Sequence, residues 1–299
     1  MRMPVLLFAF LGLSPLFATL PPGVTSKQVE KSVTLYERRV APAQTVPSFW
    51  DRFFRVFQIG KNTKATFPFG RSVALLVGIG HYRYINPPLP FVSNDVQKML
   101  EYLLTEGSFD AVYVMDEQAT PQLVDSYMTK NLMHVGKEDR LLFYFSGHGN
   151  ELDGLPVLQF QEARPGDWDQ AHVLRVDQFD LWGRVIPAKH VLFIYDACFA
   201  GLAVAISKAG NEEARASIAE LSGNGSRTVV TAGSGDQRAW IEQVSSELQF
   251  SVFTEALIQA LRAGAADDRN RGFFTIEQAV ANAAPRMADM TETSVQGTK

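Results

Sequence analysis

Two apolar runs, residues 141–145 (LLFYF) and 191–195 (VLFIY), each empty directly into a short polar signature. Five consecutive large apolar side chains with aromatic and β-branched members, bounded by charge or glycine, predict strands buried on both faces. That restricts the chain to an α/β architecture built on a mostly parallel sheet. The first run leads into Ser146-Gly147-His148-Gly149, the second into Asp196-Ala197-Cys198-Phe199-Ala200-Gly201. A parallel sheet gathers its functional groups beyond the C-terminal ends of its strands, where loops enter helices and crevices open. His148 and Cys198 are both predicted at such ends.

Cys198 is the only cysteine among 299 residues, so it belongs to no internal disulfide and no multi-cysteine metal site. It is either a nucleophile or a small buried thiol. Glycines beside both residues allow close backbone approach. His172, His190, His81 and His134 compete for the role of base, but none has that glycine context, and His190 falls at the start of its strand.

Strand-Ser-Gly-His-Gly followed by strand-Asp-Ala-Cys-Phe-Ala-Gly resembles the caspase, metacaspase and paracaspase group of cysteine peptidases, particularly its bacterial members. The histidine precedes the cysteine by 198 − 148 = 50 residues, a spacing that belongs to the same resemblance. The resemblance implies a caspase-like three-layer sandwich and a His148–Cys198 dyad acting through an acyl-enzyme thioester. It also implies an oxyanion held by the backbone N–H groups of Gly149 and Cys198. The third, orienting group stays unassigned.

Relatives that cut after aspartate use an arginine in the loop after the first strand. Here that loop offers only Arg83, which stands too early. Asp196, two residues before the cysteine as in metacaspases, and Asp236, in a later loop, resemble an acidic lining that takes Arg or Lys. The alternative for Asp196 is a turn cap. The alternative to an endopeptidase is a catalytically silent caspase-like scaffold that binds peptides or partners through the same groove.

The rest of the chain fits one such domain over residues 71–290. Residues 73–80 predict a buried first strand. Its Gly78-x-Gly80 lacks the third glycine of a dinucleotide loop, and Pro87, Pro88 and Pro90 stand where the helix would begin. Residues 93–95 (SND) predict helix caps before a crossover helix with Val96, Met99, Leu100, Leu103 and Leu104 inward. Residues 111–115 predict a second strand, Thr120-Pro121 a helix start, and residues 151–160 a strand or hairpin. Asp177 caps a short helix over 178–182. Beyond the cysteine, residues 202–206 predict a helix start, 211–227 an exposed segment and 228–232 a strand. Residues 250–261 predict an amphipathic helix, and Thr275 the cap of a last helix over 276–284. Strand and helix alternate as in a doubly wound sheet with right-handed crossovers.

Residues 1–22 carry one basic residue and an uncharged apolar run, which predicts an export signal or retained N-terminal anchor and hence a secreted or periplasmic protein able to associate with membrane there. Residues 23–70 read as linker and arm, with a charged helix over 27–39 and an amphipathic helix over 48–57. Residues 291–299 read as a tail. With a net charge of −4 and no strong basic block, nothing points to a nucleic-acid partner, and none is expected. The expected partner is a peptide or protein substrate. No cofactor is implied and calcium dependence is not legible. Residues 267–272 (DDRNRG) lack the ligand alternation of a calcium loop.

Overall fold

The computed structural model describes residues 20–38, 55–59, 63–67, 69–197, 226–232, 250–263 and 276–296. Its strands and helices run β1 (Val24–Glu30), β2 (Val33–Arg38), β3 (Arg55–Ile59), β4 (Thr63–Phe67), β5 (Ser72–Gly78), α1 (Val92–Thr105), β6 (Ala111–Met115) and α2 (Pro121–Ser126). They continue with β7 (Arg140–Ser146), β8 (Gly149–Leu152), β9 (Leu155–Gln159), β10 (Val173–Arg175), α3 (Gln178–Val185), β11 (His190–Asp196), β12 (Ser226–Thr231), α4 (Val252–Arg262) and α5 (Ile276–Gln296).

Seven strands form one sheet in the order β1-β2-β6-β5-β7-β11-β12. Neighbours from β6 to β12 are parallel, and β1 and β2 join antiparallel. The period-2 alternation of each central strand divides its apolar side chains between two layers. Leu75, Val77, Leu141, Phe143, Phe145, Phe193 and Tyr195 face α2, the π-helical turn that follows it (Tyr127–Asn131) and α3, where Val124, Tyr127, Met128 and Trp182 cover them. Ala74, Leu76, Leu142, Tyr144 and Ile194 face the opposite layer, built from Met99 and Leu103 of α1 and Phe253 and Leu257 of α4. Helices on both faces of a parallel sheet make the three-layer sandwich.

Aromatic packing fixes the first layer. Phe143 meets Trp182 edge-on at 5.7 Å, and the indole N–H, buried with its ring, donates to Asp125 Oδ1 at 2.9 Å. Thr120 caps α2 through Oγ1, which accepts from Leu123 N–H at 3.2 Å, with Pro121 in the first turn. The region after His148 is the antiparallel hairpin β8–β9 with β10 alongside.

Several expectations are corrected. The charged segment after residue 23 is the hairpin β1–β2, not a helix. Its β-branched Val24, Thr25, Val29, Val33 and Thr34 suit strands, and β2 covers the edge of β6 with Val33 opposite Met115. The folded sheet therefore begins well upstream of residue 71. Within the expected helix over 48–57, residues 55–57 belong to β3, paired with β4; that ladder supplies cross-strand hydrogen bonds where a lone two-turn helix would be marginal. Asp177 makes no side-chain cap and pairs instead with Arg175, Nε–Oδ1 3.0 Å. The last helix runs to Gln296, so residues 291–296 are helix rather than tail; Ala283 and Met287 pack it on Ala256 and Ala260 of α4. Residues 1–19, 39–54 and 198–225, Asp236, the 267–272 loop and Thr275 lie outside the described residues. Among the described residues no helix is long and apolar enough to cross a membrane.

Candidate active site

β5, β7 and β11 end together. Gly78 pairs with Ser146, and Ser146 with Asp196, in one row across the sheet. Beyond the row, Gly147 N–H donates to Asp196 O at 3.2 Å and Ile79 N–H to Ser146 O at 3.0 Å, so the strand tips stay joined past their last paired residues. His148 stands two residues after Ser146. Cys198 stands two residues after Asp196, outside the described residues.

His148 is half-buried and held from three sides. Its carbonyl accepts from Gln159 N–H at 2.9 Å, fixing the tip to β9. Its backbone N–H donates to Tyr82 Oη at 2.6 Å. Its Nε2 lies 2.8 Å from the carbonyl oxygen of Pro87. A carbonyl only accepts, so Nε2 carries the proton and Nδ1 is the basic nitrogen of the neutral ring. The Pro87 carbonyl thus orients the His148 ring. Gly149, the expected oxyanion donor, is buried at the start of β8 opposite Leu158.

Asp196 is 8% exposed and sits beneath the first turn of α4. Its Oδ2 accepts from the Ser251 hydroxyl and from Thr254 Oγ1 at 2.5 Å. With that hydroxyl proton committed, Tyr144 OH donates to Thr254 Oγ1 at 2.7 Å. Facing it is a residue read from sequence only as a helix cap. Asp95 is fully buried on α1, where its Oδ1 accepts from Ser251 N–H at 2.8 Å and its Oδ2 from Ser146 Oγ at 3.2 Å. The helix begins instead at Val92 with no side-chain cap bond.

Burial pushes the Asp196 carboxyl up to about 6. Asp95 is raised well above the usual carboxylate range, first by burial and then by repulsion from Asp196. The cation acting on Asp95, Lys98, is itself paired with Glu255 and stacked over the Phe250 ring at 4.1 Å. The clue to Asp95 was its position on the apolar stripe: 95 is three residues after Val92 and four before Met99, so an acid there must be buried.

The other histidines are placed elsewhere or otherwise engaged. His190 lies at the opposite end of β11, its Nδ1 2.8 Å from Ser226 Oγ. His172 Nδ1 pairs with Asp167 Oδ2 at 2.8 Å in the excursion after β9. His134 is exposed in the turn before β7. His81 lies at the tip of β5 and pairs with Glu117 at 2.6 Å. Arg83 pairs with Glu162 at 3.1 Å. Among the described residues no group of three or more His, Cys, Asp or Glu is arranged to hold a metal.

The family model described as "Caspase domain" matches residues 71–298. No curated protein matches the sequence. Among solved structures, caspase-1 from Spodoptera frugiperda aligns at 12% identity and a TM-score of 0.46, over 72% of this chain and 76% of that one. A match over most of the chain, on a three-layer sheet whose strand tips carry the histidine and lead to the cysteine, identifies the protein as a member of the caspase domain family, a cysteine-type peptidase acting on protein or peptide substrates.

Proposed function

We propose that the chain is an endopeptidase that cleaves after arginine or lysine, with His148 as base and Cys198 as nucleophile. The observation that carries the reading is the register pair Ser146–Asp196. Each partner lies two residues short of one member of the dyad, and each touches the buried acid cluster. That register supports a dyad, since one strand tip carries His148 and its neighbour leads in sequence to Cys198, with the acid of the same row close by.

Nδ1 of His148 takes the thiol proton, and the thiolate attacks the scissile carbonyl carbon. The C–N bond breaks as the imidazolium returns its proton to the leaving amine. Water, deprotonated by the same nitrogen, then hydrolyses the thioester and regenerates the thiol. The N–H groups of Gly149 and Cys198 stabilise the oxyanion. The Pro87 carbonyl keeps Nε2 as a donor and so fixes the tautomer in which Nδ1 is the basic nitrogen.

Specificity follows from charge. Removing two carboxylates from water costs several kcal/mol per ion, and their local cation is already shared with Glu255. A guanidinium or ammonium brought by the substrate offsets that cost through charge-assisted hydrogen bonds. Asp236 is assigned to the same acidic lining. A neutral or acidic residue at this position leaves the pair uncompensated.

The reading gives a pH dependence of definite sign. A carboxyl raised to about 6 is protonated below that pH and ionised above it. KM for an arginine substrate is therefore expected to rise as pH falls through about 6, whereas a neutral citrulline analogue should show no such limb. KM flat across that window for arginine would contradict the assignment. A fluorogenic peptide panel varying only the residue before the scissile bond tests the whole proposal. Arginine and lysine should dominate; turnover after aspartate, or no turnover on any peptide, defeats it, and the latter result would favour the scaffold.

A further inference from the structure

We propose that Tyr82 is a positioning residue for His148, holding the imidazole from its backbone and from its face at once. The inference rests on His148 being the base. Two contacts define it: the His148 N–H donates to Tyr82 Oη at 2.6 Å, and the two rings lie 4.7 Å apart, tilted by 54°. With the Pro87 carbonyl on Nε2, the imidazole is gripped at its backbone, one face and its outer nitrogen.

Tyr82 is itself packed on three sides. Its ring packs against the core under α2 and α3, against Ile85 and Val157 beside the β8–β9 hairpin, and against Leu89 and Phe91 ahead of α1. The next residue anchors the loop, Arg83 N–H donating to Gln161 O at 2.9 Å. Burial raises the phenol pKa far above its usual value, so the oxygen remains a neutral hydroxyl. Gly147 completes the arrangement, because a Cβ there would stand 2.6 Å from Tyr82 Oη and 3.0 Å from Ile79 O. Only glycine lets the phenol reach the next residue's N–H.

A side chain that joins three apolar clusters also fits a purely structural role, and the phenol oxygen separates the two. Tyr82→Phe keeps the ring and its packing and removes only Oη. In the full-length protein this variant is expected to lower kcat on a peptidyl-arginine substrate about 10- to 30-fold, with KM within about twofold and thermal stability nearly unchanged. The rate of Cys198 alkylation by iodoacetamide near neutral pH should fall in parallel, since it reports the thiol's access to the base. Gly147→Ala provides a second route, displacing the phenol sterically. It should reproduce the kcat loss and cost less in the Tyr82→Phe background than alone, as coupled residues do.

Wild-type kcat in Tyr82→Phe, or losses that simply multiply with Gly147→Ala, would overturn the assignment. So would a loss confined to KM or to stability. His148→Ala, run alongside, separates this failure from the larger one: if it is inactive while Tyr82→Phe is normal, only the Tyr82 inference falls. If His148→Ala retains full activity, the base assignment falls and takes this one with it.

Discussion

Replacing His148 with alanine is expected to lower kcat/KM on a peptidyl-arginine substrate by about 10,000-fold or more, and Cys198→Ala should reach the same floor. Nucleophile and base act as a unit, so the double variant should be no worse than either single one. The effect on folding should be small. His148 is half-buried, and its side-chain bond to Pro87 O has a net worth of about 1 kcal/mol, which corresponds to a fall in Tm of roughly 2–4 °C for a domain of this size. Steady-state kinetics alongside a thermal melt checks both halves. A His148→Ala protein that melts normally and cleaves at more than a hundredth of the wild-type rate would remove His148 from the mechanism.

Asp196→Asn carries the second large effect. Asparagine has the same shape, and its carbonyl oxygen still accepts from Ser251 and Thr254, so the packing under α4 is retained. Only the charge is lost. Truncating one side of a buried charged hydrogen-bonded contact costs about 2–5 kcal/mol, so kcat/KM for arginine should drop about 100-fold while a citrulline substrate changes little. Stability should move the other way. A carboxyl whose pKa is raised in the folded state destabilises that state as pH rises through about 6, because ionisation there is harder than in the unfolded chain. Asp196→Asn lacks that penalty, so its stability relative to wild type should increase between pH 5 and pH 8. Unchanged arginine selectivity in a folded variant would reassign Asp196 to a structural cap.

What could be read from sequence followed physical periodicity. The LLFYF and VLFIY runs gave both central strands because full burial on two faces demands uninterrupted apolar residues, and the α1 stripe placed Met99 and Leu103 inward, as found. The β1–β2 hairpin was misread because β1, its more highly charged strand, is mostly exposed. Without a buried stripe, charge at Lys27, Glu30 and Lys31 resembles a solvated helix, and only the pairing of Val33 with Met115 decides otherwise. Asp196 was singled out by its distance to the cysteine, whereas Asp95 was hidden by its place near a helix start, where acids ordinarily cap. Its partner Ser251 is 156 residues away. Tyr82 and the Pro87 carbonyl were invisible for a related reason. A backbone oxygen has no sequence signature, and the contact between Tyr82 and His148 spans 66 residues.

The proposed mechanism requires one sulfur and one imidazole to share a crevice lined by acid. The most direct measurement is the intact mass of the full chain after reaction with a peptidyl-arginine chloromethyl ketone, with the modified residue located by fragmentation. A single adduct on Cys198 is expected, lost in His148→Ala, strongly slowed in Asp196→Asn, and slow with the corresponding aspartyl reagent. An unmodified Cys198 in folded protein, or equal labelling by arginyl and aspartyl reagents, would contradict it.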